Sequence, residues 1–119
     1  MMGGEMRTPV THAMSLQDAP FRAMAEGRKT VELRLWDEKR QTVRVGDTIV
    51  FTAPAGEPVT VRVEALERFD SFADLYAALD PAELGYGPGE TADPRDMEAY
   101  YSPEQQAKYG VVGIRVRLV

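Results

Sequence analysis

The sequence has no cysteine and only one histidine in its 119 residues. The lack of cysteine excludes disulfides and every zinc or iron–sulfur site that needs thiolate ligands. A single histidine, His12, argues against a histidine-rich metal site and against a histidine-dependent catalytic triad. The acidic residues also show no spacing typical of a metal site, so we expect no metal and no cofactor.

Long hydrophobic runs are absent as well. No apolar stretch approaches the roughly 20 residues that a membrane-spanning helix needs, and residues 1–10 lack the apolar segment of a signal peptide. We therefore expect residues 1–10 to be a disordered lead-in and residues 11–119 to form a single domain, because this length suits one core. A cytoplasmic location without a membrane partner is the corresponding expectation.

The charge is negative overall and unevenly distributed. A net charge of −5 argues against a protein that coats long nucleic acid by charge alone. Residues 28–44 carry six basic and three acidic side chains, whereas residues 80–104 carry seven acidic side chains against Arg95. Two interpretations stay open: a local positive patch for a small anionic ligand or a few nucleotides, or two solvated faces of opposite sign.

Hydrophobic alternation and turn residues predict five or six short strands. The main ones are expected at residues 12–16, 30–36, 48–51, 59–69 and 111–119. Helices are expected at 18–26, at 71–79 and in two pieces between 94 and 110, with a long glycine- and proline-rich loop at 84–94. Along the fourth strand, alternation places four apolar side chains on one face: Val59, Val61, Val63 and Ala65.

The order of these elements lacks the regular alternation of strand and helix that is typical of a doubly wound parallel sheet. It instead predicts an α+β fold. We expect a small, partly open β-barrel, with one helix after the first strand and other helices before the last.

The polar chemistry is concentrated in residues 27–34, which have the spacing Gly-x-Lys-x-x-Glu-x-Arg. Gly27 is expected to end the first helix, and Glu32 and Arg34 share the polar face of the following strand. On a flat, exposed face these charges would interact weakly. Under the glycine- and proline-rich loop, Lys29, Glu32 and Arg34 would instead converge in a cleft.

This octet resembles the signature of the ASCH domain family. Similar companions follow in the expected places: Pro20-Phe21, residues 45–49, Ser71-Phe72, Tyr101-Ser102 and Tyr109-Gly110-Val111. The resemblance extends from about His12 to Val119. It implies a PUA-like barrel with a cleft beside the first helix, and RNA or a modified nucleoside as ligand.

The resemblance also implies site residues. Lys29, Glu32 and Arg34 would line the cleft, and Ser102 and Tyr109 would face it from the far end of the pattern. From the residues alone, the tyrosines near the helix ends are open to two interpretations, as stacking surfaces for a base or as packing residues.

Two enzymatic alternatives and one non-catalytic alternative stay open, and so does the oligomeric state. Some ASCH-like proteins resemble amidohydrolases acting on N4-acetylcytidine with a Lys-Thr-x-Thr pattern, but here Glu32 occupies the position of the second threonine, and a carboxylate cannot replace a hydroxyl nucleophile. In a metal-independent ribonuclease, Lys29 would stabilise the phosphorane, Glu32 would act as base and Arg34 would bind phosphate. The third alternative is a scaffold or interaction domain.

Overall fold

The computed structural model describes residues 8–119, so residues 1–7 of the expected lead-in lie outside the described residues. The extent of the lead-in and the single-domain assignment of residues 11–119 stay predictions. Five strands, three α-helices and two 3-10 helices follow one another along the described chain. In chain order they are β1 Thr11–Ser15, α1 Asp18–Ala25, β2 Val31–Leu35, a 3-10 helix Arg40–Thr42, β3 Thr48–Thr52, β4 Val59–Phe69, α2 Phe72–Ala78, a 3-10 helix Pro94–Ala99, α3 Pro103–Tyr109 and β5 Val111–Leu118.

The strands form one sheet in the order β1-β3-β4-β5-β2. β1 and β3 are parallel, and the other neighbouring pairs are antiparallel. The sheet curves into a half-barrel flanked by the helices, which confirms the predicted α+β class, the helix after the first strand and the helices before the last. Among the described residues, no helix has the length and apolarity to cross a membrane.

Both faces of the sheet are covered by apolar side chains. The inner cluster fills the barrel beneath α1 and consists of Met14, Phe21, Met24, Val43, Ile49, Phe51, Val61, Val63, Val112, Ile114 and Val116. The outer cluster packs α2 against the other face and consists of Val31, Leu33, Leu35, Phe72, Leu75, Leu84 and Val111. Because β5 contributes to both clusters, its first four residues, Val111 to Ile114, are buried and carry no polar side chain, as expected for a strand buried on two sides.

The predicted alternation along β4 is wrong at Ala65. The pairing of β4 with β5 shifts register between Val63 and Ala65, where an extra residue in one strand breaks the two-residue period. Leu66 therefore takes over from Ala65 on the face of the inner cluster. The bulge turns the second half of β4, so that Phe69 packs against the outer cluster.

The two edges of the sheet, β1 and β2, meet at the open side of the half-barrel. We call this gap the seam. A side chain bridges it, because Nη2 of Arg34 on β2 donates a hydrogen bond of 2.7 Å to the carbonyl of Ser15 on β1. A hydrogen-bonded ladder between β1 and β2 does not form within the described residues.

Candidate ligand-binding cleft

A cavity of about 920 Å3 lies at the seam. Its walls are the end of β1, the start of α1, β2, and the segment that runs from Leu84 to Tyr101. This volume is within the range of small-molecule sites in proteins, roughly 300–1,000 Å3. Leu84, Gly85, Tyr86 and Glu90 are among the lining residues, so part of the glycine- and proline-rich loop covers the polar face of β2.

Lys29, Glu32 and Arg34 come together on the floor of the cavity. Nζ of Lys29 lies 3.4 Å from Oε1 of Glu32, and Nε of Arg34 lies 2.7 Å from Oε2. The three residues are only 4%, 3% and 8% exposed. Since a buried charge is stable only when it is paired and hydrogen-bonded, the single carboxylate of Glu32 compensates two cations.

Local backbone geometry explains how Lys29 reaches this position. Gly27 adopts a positive φ of 79°, which glycine tolerates without strain, and ends α1. Nζ of Lys29 then donates to the carbonyls of Val31 at 2.8 Å and Leu84 at 3.1 Å. Gly85, with φ of 104°, packs against the lysine stem, where a Cβ atom would lie 3.3 Å from Cδ. Lys29 therefore fastens the loop to β2 as well as holding Glu32.

The protonation equilibria of the two cations shift in opposite directions. Burial lowers the pKa of the Lys29 ammonium, although the neighbouring Glu32 carboxylate opposes the shift. For Arg34, burial acts in the same downward direction, but the attraction of Glu32 and the contact with Tyr101 outweigh it and raise the pKa of the guanidinium. Arg34 is therefore a fixed charge, while Lys29 is the tunable one.

A tyrosine-rich wall stands opposite this floor. The hydroxyl groups of Tyr76 and Tyr86 lie 2.8 Å apart, and the Tyr86 hydroxyl donates to Oδ2 of Asp96 at 2.7 Å. Tyr101 stacks on Phe72 of the outer cluster, with ring centroids 6.0 Å apart and an interplanar angle of 20°. Tyr76, Tyr86, Asp96 and Tyr101 all line the cavity. The wall thus presents aromatic rings together with a hydrogen-bonded acidic group.

The tyrosines predict a loss of stability in alkali. Burial is the largest cause that raises the pKa of Tyr76, Tyr86 and Tyr101. The folded state therefore keeps protons that the unfolded chain releases, and stability falls as pH rises past about 10, the usual tyrosine pKa. Lys29 has the opposite effect on stability, because its pKa is lower in the folded state than in the unfolded chain. Its contribution makes stability rise with pH, up to the pKa of about 10.4 that a lysine has in the unfolded chain.

Thermal unfolding midpoints between about pH 9 and about pH 11.5 measure this balance. The wild type is expected to lose stability steeply above about pH 10.5, where only the tyrosine effect is left. Tyr86→Phe removes one of the three tyrosine hydroxyls together with its hydrogen bond to Asp96. The unfolding midpoint of this variant is therefore expected to fall less steeply with pH. If the midpoints of the two proteins fall equally steeply with pH, the buried Tyr86 hydroxyl does not contribute to the loss of stability in alkali.

Ser102 and Tyr109, which the family resemblance placed at the cleft, lie away from the cavity lining, as do Trp36 and Thr30. Ser102 caps α3, where its hydroxyl accepts from the backbone N–H of Gln105 at 3.2 Å. Tyr109 packs at the margin of the outer cluster. Trp36 covers the inner cluster, and Thr30 lines a separate hollow beside Arg115 and Arg117.

Sequence patterns did not identify three of the residues that line the cavity: Tyr76, Tyr86 and Asp96. The ring of Tyr76 packs against the outer cluster, and its hydroxyl finds a partner only because a loop ten residues later folds back over the helix. A usable signal was present, since tyrosine is the aromatic residue that combines a packing ring with a polar tip. The acidic segment that contains Tyr86 and Asp96 was recognised only as charge.

The cavity is balanced in charge. Three basic residues line it (Arg28, Lys29 and Arg34) together with three acidic ones (Glu32, Glu90 and Asp96). The basic segment of the sequence therefore does not produce a positive cleft, because the acidic segment folds over it. Among the described residues, no group of three or more metal-binding side chains could hold a metal ion.

A family model described as ASCH domain matches residues 14–119. The chain belongs to the ASCH domain family. No protein of curated function matches it in sequence. The structural comparison agrees, since this ASCH domain is similar to the hypothetical protein PH0355, with a TM-score of 0.80, 28% identity, and coverage of 92% of this chain and 99% of that one.

Two further solved structures are similar to this ASCH domain. Protein PF0455 from Pyrococcus furiosus has a TM-score of 0.66 and 27% identity, covering 92% of this chain and 97% of that one. The ASCH protein from Zymomonas mobilis has a TM-score of 0.65 and 16% identity, covering 90% of this chain and 66% of that one. At that identity, the second of these likenesses concerns the fold alone.

Proposed function

We propose that the seam cleft of this ASCH domain binds a single nucleotide, either free or as one residue of an RNA strand. The observation that carries the proposal is the convergence of Lys29, Glu32 and Arg34, all buried, on the floor of one cavity. Buried ionisable groups are costly, and in a concave site they are typical of ligand binding or catalysis.

The other walls support the same ligand class. Tyr86, Tyr100 and Tyr101 line the cavity, and aromatic rings are the usual stacking partners of unpaired bases. The balanced charge of the lining favours one nucleotide over a run of phosphates, because binding of long nucleic acid depends on an excess of basic side chains. The volume also suits one nucleotide.

Hydrolysis is the second candidate, with Lys29 and Glu32 as the reacting pair. It ranks lower because both oxygens of Glu32 already contact cations and Nζ of Lys29 already donates to two backbone carbonyls. A general base or nucleophile must be free to meet its substrate. Thr30, the one threonine within the signature at residues 27–34, lines the other hollow. A scaffold role is the third candidate and predicts no ligand in the cleft.

Calorimetric titration with the four nucleoside 5′-monophosphates and with short single-stranded RNAs tests the proposal. The wild type is expected to bind at least one of them, and Arg34→Lys is expected to weaken binding about tenfold, because lysine cannot reproduce the forked geometry of a guanidinium. Arg117→Lys is the matched control, since Arg117 is paired with Glu64 outside the cleft. It should bind like the wild type.

Two results would overturn the proposal. One is the absence of binding by the folded wild type. The other is binding that Arg34→Lys leaves unchanged while its unfolding midpoint stays near that of the wild type. Chromatography of these mixtures, and of a further mixture with N4-acetylcytidine, detects turnover. Turnover that Glu32→Gln abolishes would favour the hydrolase instead.

A further inference from the structure

The backbone of β2 uses only one of its two edges for the sheet. The N–H of Val116 donates to the carbonyl of Thr30 at 2.9 Å, and the N–H of Trp36 donates to the carbonyl of Gly110 at 3.0 Å. In an antiparallel pair, hydrogen-bonded residues alternate with residues whose backbone groups point the other way. The register therefore directs the N–H and C=O groups of Val31, Leu33 and Leu35 away from β5.

These three outward-facing residues have different surroundings. Val31 is satisfied, because its N–H donates to the carbonyl of Glu83 at 3.0 Å and its C=O accepts from Nζ of Lys29. Leu33 lines the cavity, and its N–H and C=O have no hydrogen-bond partner within residues 8–119. Leu35 does not line the cavity.

Leu33 is only 7% exposed. Buried backbone donors and acceptors are nearly always paired, so an outward-facing pair at the edge of a cavity calls for an explanation. The seam provides the structural cause. The side chain of Arg34 reaches across it to Ser15, and β1 does not pair with this edge of β2.

We propose that the N–H and C=O of Leu33 form the recognition edge for the base of the nucleotide, an inference that rests on the proposed function. One donor beside one acceptor is complementary to the edge of a base that carries an acceptor beside a donor, such as N1 and the 6-amino group of adenine or N3 and the 4-amino group of cytosine. The tyrosines of the same cavity offer rings to its faces.

The geometry favours a base over an extended peptide. Strand addition to a sheet edge needs several successive residues with free backbone groups. Here the groups of Val31 are already bonded to Lys29 and Glu83. Of the three outward-facing residues of β2, only Leu33 both lines the cavity and has an unbonded backbone pair, which matches a single planar ring.

Amide NMR of the 15N-labelled full chain, titrated with the nucleoside monophosphates, tests the inference. On binding, the Leu33 amide is expected to shift and its hydrogen exchange to slow by about tenfold or more, because it gains a bond in a buried place. The amide of Leu35 is the internal control and should change little, since it points the same way outside the cavity.

Ligand variants supply the second readout. For a nucleotide that binds, methylation at N1 of a purine or N3 of a pyrimidine is expected to weaken affinity at least about tenfold, since it leaves the Leu33 groups unpaired. A 7-deaza purine or a 5-methyl pyrimidine, altered away from this edge, should bind like the parent.

The possible failures are distinguishable. Binding with an unchanged Leu33 amide and tolerance of edge methylation would overturn this inference and leave the proposed function standing. Slowed exchange at Leu33 and Leu35 together, without discrimination between methylated ligands, would indicate strand addition and also overturn it. If neither a mononucleotide nor a short single-stranded RNA binds, the proposed function fails and this inference fails with it.

Discussion

Replacing Glu32 with glutamine is expected to lower the free energy of unfolding by about 3 kcal/mol, the usual loss when one partner of a buried ion pair is removed. Glu32 is the only acidic residue that contacts Lys29 and Arg34 on the cavity floor within the described structure. Glutamine keeps the size and an acceptor oxygen but carries no charge. Two buried cations would then face each other without an anion between them.

Glu64→Gln is the matched control for this prediction. Glu64 also sits on a strand and pairs with an arginine, at 3.3 Å from Nε of Arg117, but both side chains of that pair are exposed. Its replacement is expected to change stability by about 0.5 kcal/mol or less. Urea unfolding of both variants measures the difference. Equally small losses would show that Glu32 lies on a solvated strand face, as the scaffold interpretation requires.

Phe72→Ala is the second large prediction. Phe72 is fully buried at the start of α2, and it supports Tyr101 by stacking. Removal of a buried phenyl ring is expected to cost about 3–5 kcal/mol in lost burial and cavity formation. It should also release Tyr101 from its position beside Arg34 and therefore weaken nucleotide binding.

Phe51→Ala separates these two effects. Phe51 is equally buried but belongs to the inner cluster, whereas the tyrosines of the wall pack against the outer cluster. Both variants should lose similar stability in urea unfolding, whereas only Phe72→Ala should weaken nucleotide binding under conditions where both are folded. A similar loss of affinity in both would mean that Tyr101 is not held in place by Phe72.

Much of the fold could be predicted from local sequence. The alternation in residues 59–69 located β4 with its observed bounds, and the helix predicted at residues 71–79 corresponds to α2, which Ser71 caps. Gly27 takes the positive φ that a helix-ending glycine favours. These features depend on neighbours within a few residues, so periodicity and capping chemistry suffice to find them.

The rest depends on contacts that are distant in sequence. The bulge at residues 63–65 is fixed by pairing with β5, and nothing in the alternation of β4 marks it. The Tyr76–Tyr86–Asp96 chain and the bridge from Arg34 to Ser15 join segments that only the folded chain brings together. For the same reason, the sequence left open both a positive patch and two solvated faces, whereas the structure has a charge-balanced cavity.

Family resemblance contributed what spacing did not. The spacing of Lys29, Glu32 and Arg34 allowed either a solvated strand face or a cleft, and the choice depended on where the loop at residues 84–94 lies. The resemblance favoured the cleft. The structure places Leu84, Gly85 and Tyr86 at the cavity, while Ser102 and Tyr109 have structural partners elsewhere.

A crystal structure of the protein with a bound nucleoside monophosphate would test directly whether the buried charges form the floor of a nucleotide site. We expect electron density for the base and ribose in the seam cavity, between the floor of Lys29, Glu32 and Arg34 and the wall that contains Tyr101. A nucleotide bound instead in the hollow beside Thr30, or on the outer surface with the seam cavity holding only solvent, would contradict it.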